Sequence, residues 1–203
     1  MSLASNIWKL YIIKASKWMT LFMPVIWLFY EENDLAISDL FLIQAIYSVT
    51  IALIEIPSGY VADVLGRKNS LIVGTFFGFL GIIIYAFSFG FDGFLIAALC
   101  LGIGQSFTSG SDTALMYDTL VQLNRTDDFI KLEGRTISMG NFAEAMAFVI
   151  GGFLAEVSLR TPFYYQVGIA FVGFVISDSR HLWRRKCQKH KKRDHQKINF
   201  SEL

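Results

Sequence analysis

The stretch that decides the fold of this chain reads Gly59-Tyr60-Val61-Ala62-Asp63-Val64-Leu65-Gly66-Arg67-Lys68. It lies between two apolar runs, Ser38 to Tyr60 and Ser70 to Phe89, and each run is long enough to cross a bilayer. A short charged turn punctuated by glycine is typical of a cytoplasmic loop that joins two antiparallel membrane helices. The sequence therefore predicts an all-α membrane protein.

The composition excludes an ordinary soluble domain. Hydrophobic residues make up 54% of the chain and aromatic residues 15%, and the mean hydropathy is +0.47. Cys100 lies in an apolar run and Cys187 in a basic tail, so neither a disulfide framework nor a metal site is predicted. The start does not resemble a cleavable signal peptide, since no small-residue cleavage site follows its apolar run. We expect no cofactor and no nucleic-acid partner.

Hydropathy predicts six membrane spans separated by short polar turns. The predicted spans are Ile12 to Tyr30, Ser38 to Tyr60, Ser70 to Phe89, Phe94 to Met116, Thr136 to Val157 and a sixth that begins at Phe163. Strands are excluded because polar residues do not alternate at period two and the runs are too long. Lys14 and Lys17 lie near the start of the first span, where long side chains are expected to reach the membrane surface.

The charges predict the orientation. With a cytoplasmic amino terminus, every Lys and Arg except Arg160 falls on the inner side, whereas the outer loops hold mainly acidic residues. This distribution follows the positive-inside rule. We expect an integral protein of the bacterial cytoplasmic membrane with both termini in the cytoplasm.

Residues 59–68 resemble the signature loop between the second and third helices of the major facilitator superfamily. Eight of the ten positions agree with the family pattern, and two of these eight are positions at which the pattern accepts any residue. The two departures are Val61, which is conservative, and Val64, which stands where the family usually has a second cation. The resemblance implies a six-helix half of that fold, built from two inverted three-helix repeats. It also implies a gating role, in which the acid caps a neighbouring helix and the cations bridge to other helix ends, for Gly59, Asp63, Gly66, Arg67 and Lys68. The alternative is a loop that only orients the protein.

An internal repeat supports the inverted arrangement. The pattern Gly59 to Arg67 recurs 93 residues later as Gly152 to Arg160. Three predicted helices separate the copies, so the second copy should emerge on the opposite face of the membrane. Coincidence in a sequence rich in Gly, Ala and Val is the alternative.

Three predicted helices carry polar stripes. Their members, spaced to share a helical face, are Gln44, Ser48 and Glu55; Gln105, Ser109 and Asp112; and Ser138, Asn141 and Glu144. Polar groups in hydrocarbon are costly, so these stripes should face the bundle interior or a wet cavity. The depth of Glu55 and Asp112 favours a structural role at the gate over a role in a substrate or proton pathway. Glu144 lies nearer the midplane and is the leading candidate for such a pathway, and the other candidates for it are Asn141, Asp112, Glu55 and Gln105.

The segment Ser109 to Leu120 also resembles one common in bacterial efflux permeases of the superfamily. Two other marks of proton-coupled antiport are missing, since Ala98 replaces the expected arginine and Ala147-Phe148 the expected Gly-Pro pair. The resemblance of Ser109 to Leu120 makes efflux the expected direction of transport. The two missing marks leave open whether transport is coupled to protons.

The domain prediction places a transmembrane bundle at residues 1–177 and a basic cytoplasmic tail at 178–203. The sixth span is apolar only from Phe163 to Ile176, so the tail is either a central cytoplasmic loop or, as we favour, an out-of-frame end. The expected partners of such a half are the lipid bilayer and a small solute. We also expect it to associate with a second half-transporter chain or with a copy of itself. A non-transporting membrane adaptor is the alternative. A membrane enzyme would need a nucleophile or metal site. The sequence does not predict one, because the three histidines all lie among the lysines of the tail, where they are expected to be solvated: His181, His190 and His195.

Overall fold

The computed structural model describes residues 4–178, with side chains from residue 7 onward. This part of the chain is helical apart from short connections, which confirms the all-α prediction. Its α-helices are α1 (Ala4–Trp18), α2 (Ile26–Glu32), α3 (Ile37–Leu65), α4 (Arg67–Phe87), α5 (Gly90–Thr108), α6 (Ser111–Gln122), α7 (Phe129–Ala155) and α8 (Thr161–Asp178). Two 3-10 turns, Met23–Val25 and Thr126–Asp128, precede α2 and α7. The predicted tail beyond residue 178 lies outside the described residues.

Five stretches of the described chain are long and apolar enough to cross a bilayer. They cover residues 7–32, 37–65, 67–87, 90–122 and 126–155, and they correspond to the first five predicted spans. The sixth predicted span is α8, an 18-residue helix that packs against α4 and α1.

Two predicted spans are interrupted, which the sequence analysis did not anticipate. The first span divides into α1 and α2 around Pro24, and the amide oxygen of Gln166 accepts the freed backbone N–H of Leu21 at 3.0 Å. The fourth divides into α5 and α6 at Ser109-Gly110, where Gly110 has a φ of +75°. Side-chain partners of this kind allow a broken helix to exist inside a bilayer, because every backbone polar group there must be satisfied.

Helices α4 and α5 approach closely, and small residues make this possible. A Cβ atom placed on Gly104 would lie 2.6 Å from the backbone nitrogen of Gly78 and 2.8 Å from the carbonyl oxygen of Gly74. Gly74 and Gly78 are one helical turn apart, so they present a small-residue groove to α5. Such spacing is the usual device by which membrane helices pack backbone to backbone.

The buried side chains form two clusters at opposite ends of the bundle. At the end that contains the α4–α5 connection and Arg160, here called the Arg160 end, aromatic rings stack around Phe29, Phe94 and Phe163. At the other end, here called the Gly66 end, aliphatic residues of α1, α4 and α6 pack around Leu10, Leu71 and Met116. The two clusters fix the ends of the helices and leave space between them.

Candidate functional site

The signature segment is almost entirely helical in the structure. The sequence analysis treated residues 59–68 as a loop, but α3 runs to Leu65 and α4 begins at Arg67, so Gly66 alone makes the turn. Its φ of +92° is strained for residues with a side chain, which explains the glycine. Because the turn is this short, Gly59 and Asp63 lie on the last turns of α3, whereas Arg67 and Lys68 lie on the first turn of α4.

Arg67 connects the signature segment to α6. Its Nη1 atom donates to the carbonyl oxygen of Ala114 at 3.1 Å and lies 2.9 Å from the carboxylate of Asp118. Asp118 was not among the candidate residues, although it stands in the segment that resembles efflux permeases. The other two charged residues of the motif, Asp63 and Lys68, make no hydrogen bond or ion pair within the described residues.

Four of the candidate residues line one concave site at the Gly66 end. A cavity of about 250 Å³ is bordered by α3 on one side and by the α5–α6 break on the other. Its wall contains Glu55, Gly59, Asp63 and Arg67. Glu55 and Asp63 are exposed there and have no side-chain partner among residues 4–178, so two carboxylates and one guanidinium face a space that a further helix end can enter.

The predicted stripe of Gln105, Ser109 and Asp112 is not continuous, and this expectation was wrong. Helix α5 ends at Thr108 and α6 begins at Ser111, so spacing counted across the break does not place residues on one helix face. Asp112 is buried, and its Oδ1 atom accepts the backbone N–H of Thr113 at 2.7 Å. It therefore belongs to the bundle interior.

A charged network that the sequence analysis missed joins α1, α6 and α7. The Nζ atom of Lys14 lies 2.6 Å from Oε1 of Glu133 and 3.3 Å from the hydroxyl of Thr113. Lys14 is only 5% exposed, so the expectation that it reaches the membrane surface was wrong. The reason is that α1 packs against α6 and α7 at Lys14, where Thr113 and Glu133 bind the ammonium. The second carboxylate oxygen of Glu133 and the hydroxyl of Tyr11 are buried without a partner in the described part of the chain.

Glu144 and Asn141 lie apart from these groups. Asn141 is exposed and Glu144 is half-buried on α7, and neither side chain forms a hydrogen bond or ion pair with a described residue. Large apolar side chains such as Phe142 are exposed beside them, and Leu53 and Ile56 are exposed beside Glu55 on α3. The structure thus does not gather the predicted pathway residues into one site, because two of them stand on an open helix face.

A second cavity, of about 150 Å³, lies inside the bundle between α1, α4, α5 and α8. Of the candidate pathway residues it contains Gln105, together with Lys17 of α1 and Gln166 of α8. The remaining wall is mostly glycine and apolar side chain. Lys17 was expected at the membrane surface, but it lies about 15 Å along the helix from Ile7, roughly half the thickness of the hydrocarbon core.

At the Arg160 end, Arg160 makes contacts that parallel those of Arg67. Its guanidinium donates to the carbonyl oxygens of Ala86 at 3.0 Å and Ser88 at 3.1 Å, and to Oδ1 of Asn33 at 2.7 Å. Its charge also lies 3.8 Å from the ring centre of Phe89. In each copy of the sequence repeat, the final arginine binds a carbonyl and a side-chain oxygen of other helices at its own end of the bundle. This correspondence supports the inverted repeat.

The comparison with protein families agrees with this architecture. The model of the Major Facilitator Superfamily matches residues 13–201. The chain belongs to the major facilitator superfamily. Together with its five apolar spans, this membership makes the chain an integral membrane protein in contact with the lipid bilayer.

Two curated proteins illustrate the relationship. The quinolone resistance protein NorA of Staphylococcus aureus (strain MRSA252) is 26% identical over 157 residues, which cover 77% of this chain and 39% of NorA. The uncharacterized MFS-type transporter EfpA of Mycobacterium tuberculosis (strain CDC 1551 / Oshkosh) is 29% identical over 150 residues, or 70% of this chain and 26% of EfpA. The chain therefore spans less than half the length of these relatives.

Proposed function

We propose that this chain is the amino-terminal half of a secondary transporter that expels a small solute across the bacterial cytoplasmic membrane. The observation that carries the proposal is the arrangement at the Gly66 end. Arg67 is bound to α6, whereas Asp63 and Glu55 remain exposed at a cavity of about 250 Å³. A carboxylate in this position can accept the backbone N–H groups at the start of a helix from a second half.

The open faces of α3 and α7 support the same proposal. Each face carries exposed apolar side chains beside polar groups that have no partner in the described part of the chain, Glu55 on α3 and Asn141 with Glu144 on α7. Apolar side chains are stable against lipid, but carboxylates there are costly unless they face a partner or water. A second six-helix half would cover these faces and enclose a solute pathway.

The Asp63→Asn variant tests the gating role. We expect it to reduce solute efflux about tenfold in a transporter completed with the second half of NorA, because the amide keeps the size of the side chain but loses a charge-assisted hydrogen bond. Efflux is measured in intact cells with a fluorescent quinolone as the first test solute, since one relative is named for resistance to quinolones. Membrane insertion, measured by immunoblot, should stay unchanged.

Asp127→Asn is the matched control. Asp127 is exposed in the 3-10 turn before α7, and its side chain has no partner in the described residues. The control should transport at the wild-type rate. Wild-type efflux by Asp63→Asn would show that the signature segment only orients the protein, and loss of efflux in both variants would indicate a general effect of charge.

The charge distribution predicts that residues 31–34 lie outside the cell and that Cys187 lies in the cytoplasm. A cysteine introduced in this loop reports its side of the membrane. We place it at position 31, as Glu31→Cys, because Asn33 in the same loop accepts a hydrogen bond from Arg160 and should be left intact. In a background where Cys100 is replaced by alanine, a membrane-impermeant maleimide should label Cys introduced at position 31 in intact cells. Cys187 should react only after permeabilisation, and the reverse pattern would overturn the orientation.

A further inference from the structure

The bundle cavity of about 150 Å³ has an apolar wall with a small number of polar groups, as is usual for binding sites of small molecules. Helices α1, α4, α5 and α8 all contribute to it, and the candidate residues at the Gly66 end do not. Among the described residues, the long polar side chains in its wall with unused hydrogen-bonding capacity are Lys17, Gln105 and Gln166, and Thr20 adds a hydroxyl. The cavity is thus separate from the signature segment.

Lys17 is the only cation in the cavity wall, and its ammonium has no hydrogen bond or ion pair within the described residues. Two charged groups act on it from neighbouring positions, Asp112 by attraction and Lys14 by repulsion. Asp112 forms no ion pair with Lys17, so its attraction acts over a longer distance, whereas Lys14 is paired with Glu133. An ammonium this far inside a bilayer requires water or an anion.

The two carboxamides add donors to the same space. Gln166 uses its oxygen to accept the Leu21 N–H, and its amide nitrogen makes no hydrogen bond with a described residue. The side chain of Gln105 makes none at all within that part of the chain. One ammonium and two carboxamide nitrogens can together bind both oxygens of a carboxylate.

The volume limits the rest of the ligand. An apolar protein cavity of 150 Å³ accommodates a molecule about the size of benzene. We propose that this cavity binds a compact organic monocarboxylate, with the carboxylate at Lys17 and an apolar body of about one ring among the helices. The inference rests on the proposed transport function, for which it supplies a class of solute.

Isothermal titration calorimetry of the purified chain in detergent tests the proposal with benzoate and benzamide, which have the same shape but differ in charge. Benzoate should bind at least tenfold more tightly than benzamide, as a charge-assisted hydrogen bond implies. Lys17→Gln should abolish this difference, and Lys131→Gln, a change at an exposed lysine outside the cavity, should preserve it. Decanoate, a lipid-like acid whose chain exceeds the cavity, should bind at least tenfold more weakly than benzoate.

Equal affinity of the wild-type chain for benzoate and benzamide, or no binding of either, would overturn the proposal. So would tighter binding of decanoate, which would indicate a site for membrane lipid. If Lys17→Gln fails to fold, as judged by its melting temperature, Gln105→Leu serves instead and should weaken benzoate binding at least threefold. The assay measures binding without transport, so a failure here combined with Asp63-dependent efflux would remove the solute class and leave the proposed function standing.

Discussion

Replacing Gly151 by alanine is expected to lower the free energy of unfolding of this chain by about 3 kcal/mol, at the upper end for overpacking a core. A Cβ atom at this position would overlap the carbonyl oxygen of Leu21 and approach Pro24 at 3.3 Å. The obstacle is backbone rather than a flexible side chain, and the Leu21 N–H is held by Gln166. Helix α7 would have to move away from the connection between α1 and α2. Unfolding in mixed detergent micelles, followed by tryptophan fluorescence, measures the effect.

Gly152→Ala is the matched control in the same turn of α7. A Cβ atom there would meet no heavy atom within 4 Å. Because alanine favours the helix more than glycine does, this variant should be as stable as the wild type or up to about 1 kcal/mol more stable. Equal losses in the two variants would show that α7 does not pack closely on the Leu21 backbone.

The two glycines also show what the sequence could and could not reveal. Both are glycines in one apolar stretch, and a sequence does not tell which of the two faces a neighbouring backbone. The same holds for the broken helices. Pro24 and Gly110 are visible as helix breakers, yet the spans that contain them are apolar enough to be read as continuous.

The helical content, the first five spans and the family followed from hydropathy and from one motif, because both are local properties of the sequence. Long-range pairings did not follow. Lys14 and Glu133 are 119 residues apart, and nothing in their local sequences distinguishes a paired lysine from one that reaches the surface. Opposite charges near the inner starts of the first and fifth predicted spans were the available signal. Asp118, the partner of Arg67, was missed for the same reason.

The faces of α3 and α7 show a further limit of prediction from sequence. The stripes containing Glu55 and Glu144 were expected to face an interior, and in this chain they lie on exposed or half-exposed surface. Helical spacing identifies a shared face but not what covers it. Under the proposed function these residues acquire an interior only when a second half is present, so their roles stay predictions that the completed transporter must test.

Removal of the Glu133 carboxylate is expected to destabilise the chain by about 3 kcal/mol. In Glu133→Ala, Lys14 would remain inside the bundle with its ammonium uncompensated, and breaking a buried pair in this way costs about 3–5 kcal/mol. We expect the lower end of that range because the Glu133 side chain is 21% exposed. The hydroxyl of Thr113 would remain as a neutral acceptor at 3.3 Å, which is a poor substitute for a carboxylate.

The double variant Lys14→Met, Glu133→Leu separates a buried charge from simple loss of packing. With both charges gone, the apolar pair should regain all but about 1 kcal/mol of the wild-type stability, since hydrophobic replacements of buried ion pairs are often neutral or stabilising. Glu156→Ala, at an exposed glutamate beyond the end of α7 that has no side-chain partner in the described residues, should have no effect. Stability is measured by detergent unfolding as for Gly151. A neutral Glu133→Ala would show that Lys14 is hydrated in the membrane, and a double variant as unstable as the single one would show that the volume of the side chain, rather than its charge, holds α1 against α7.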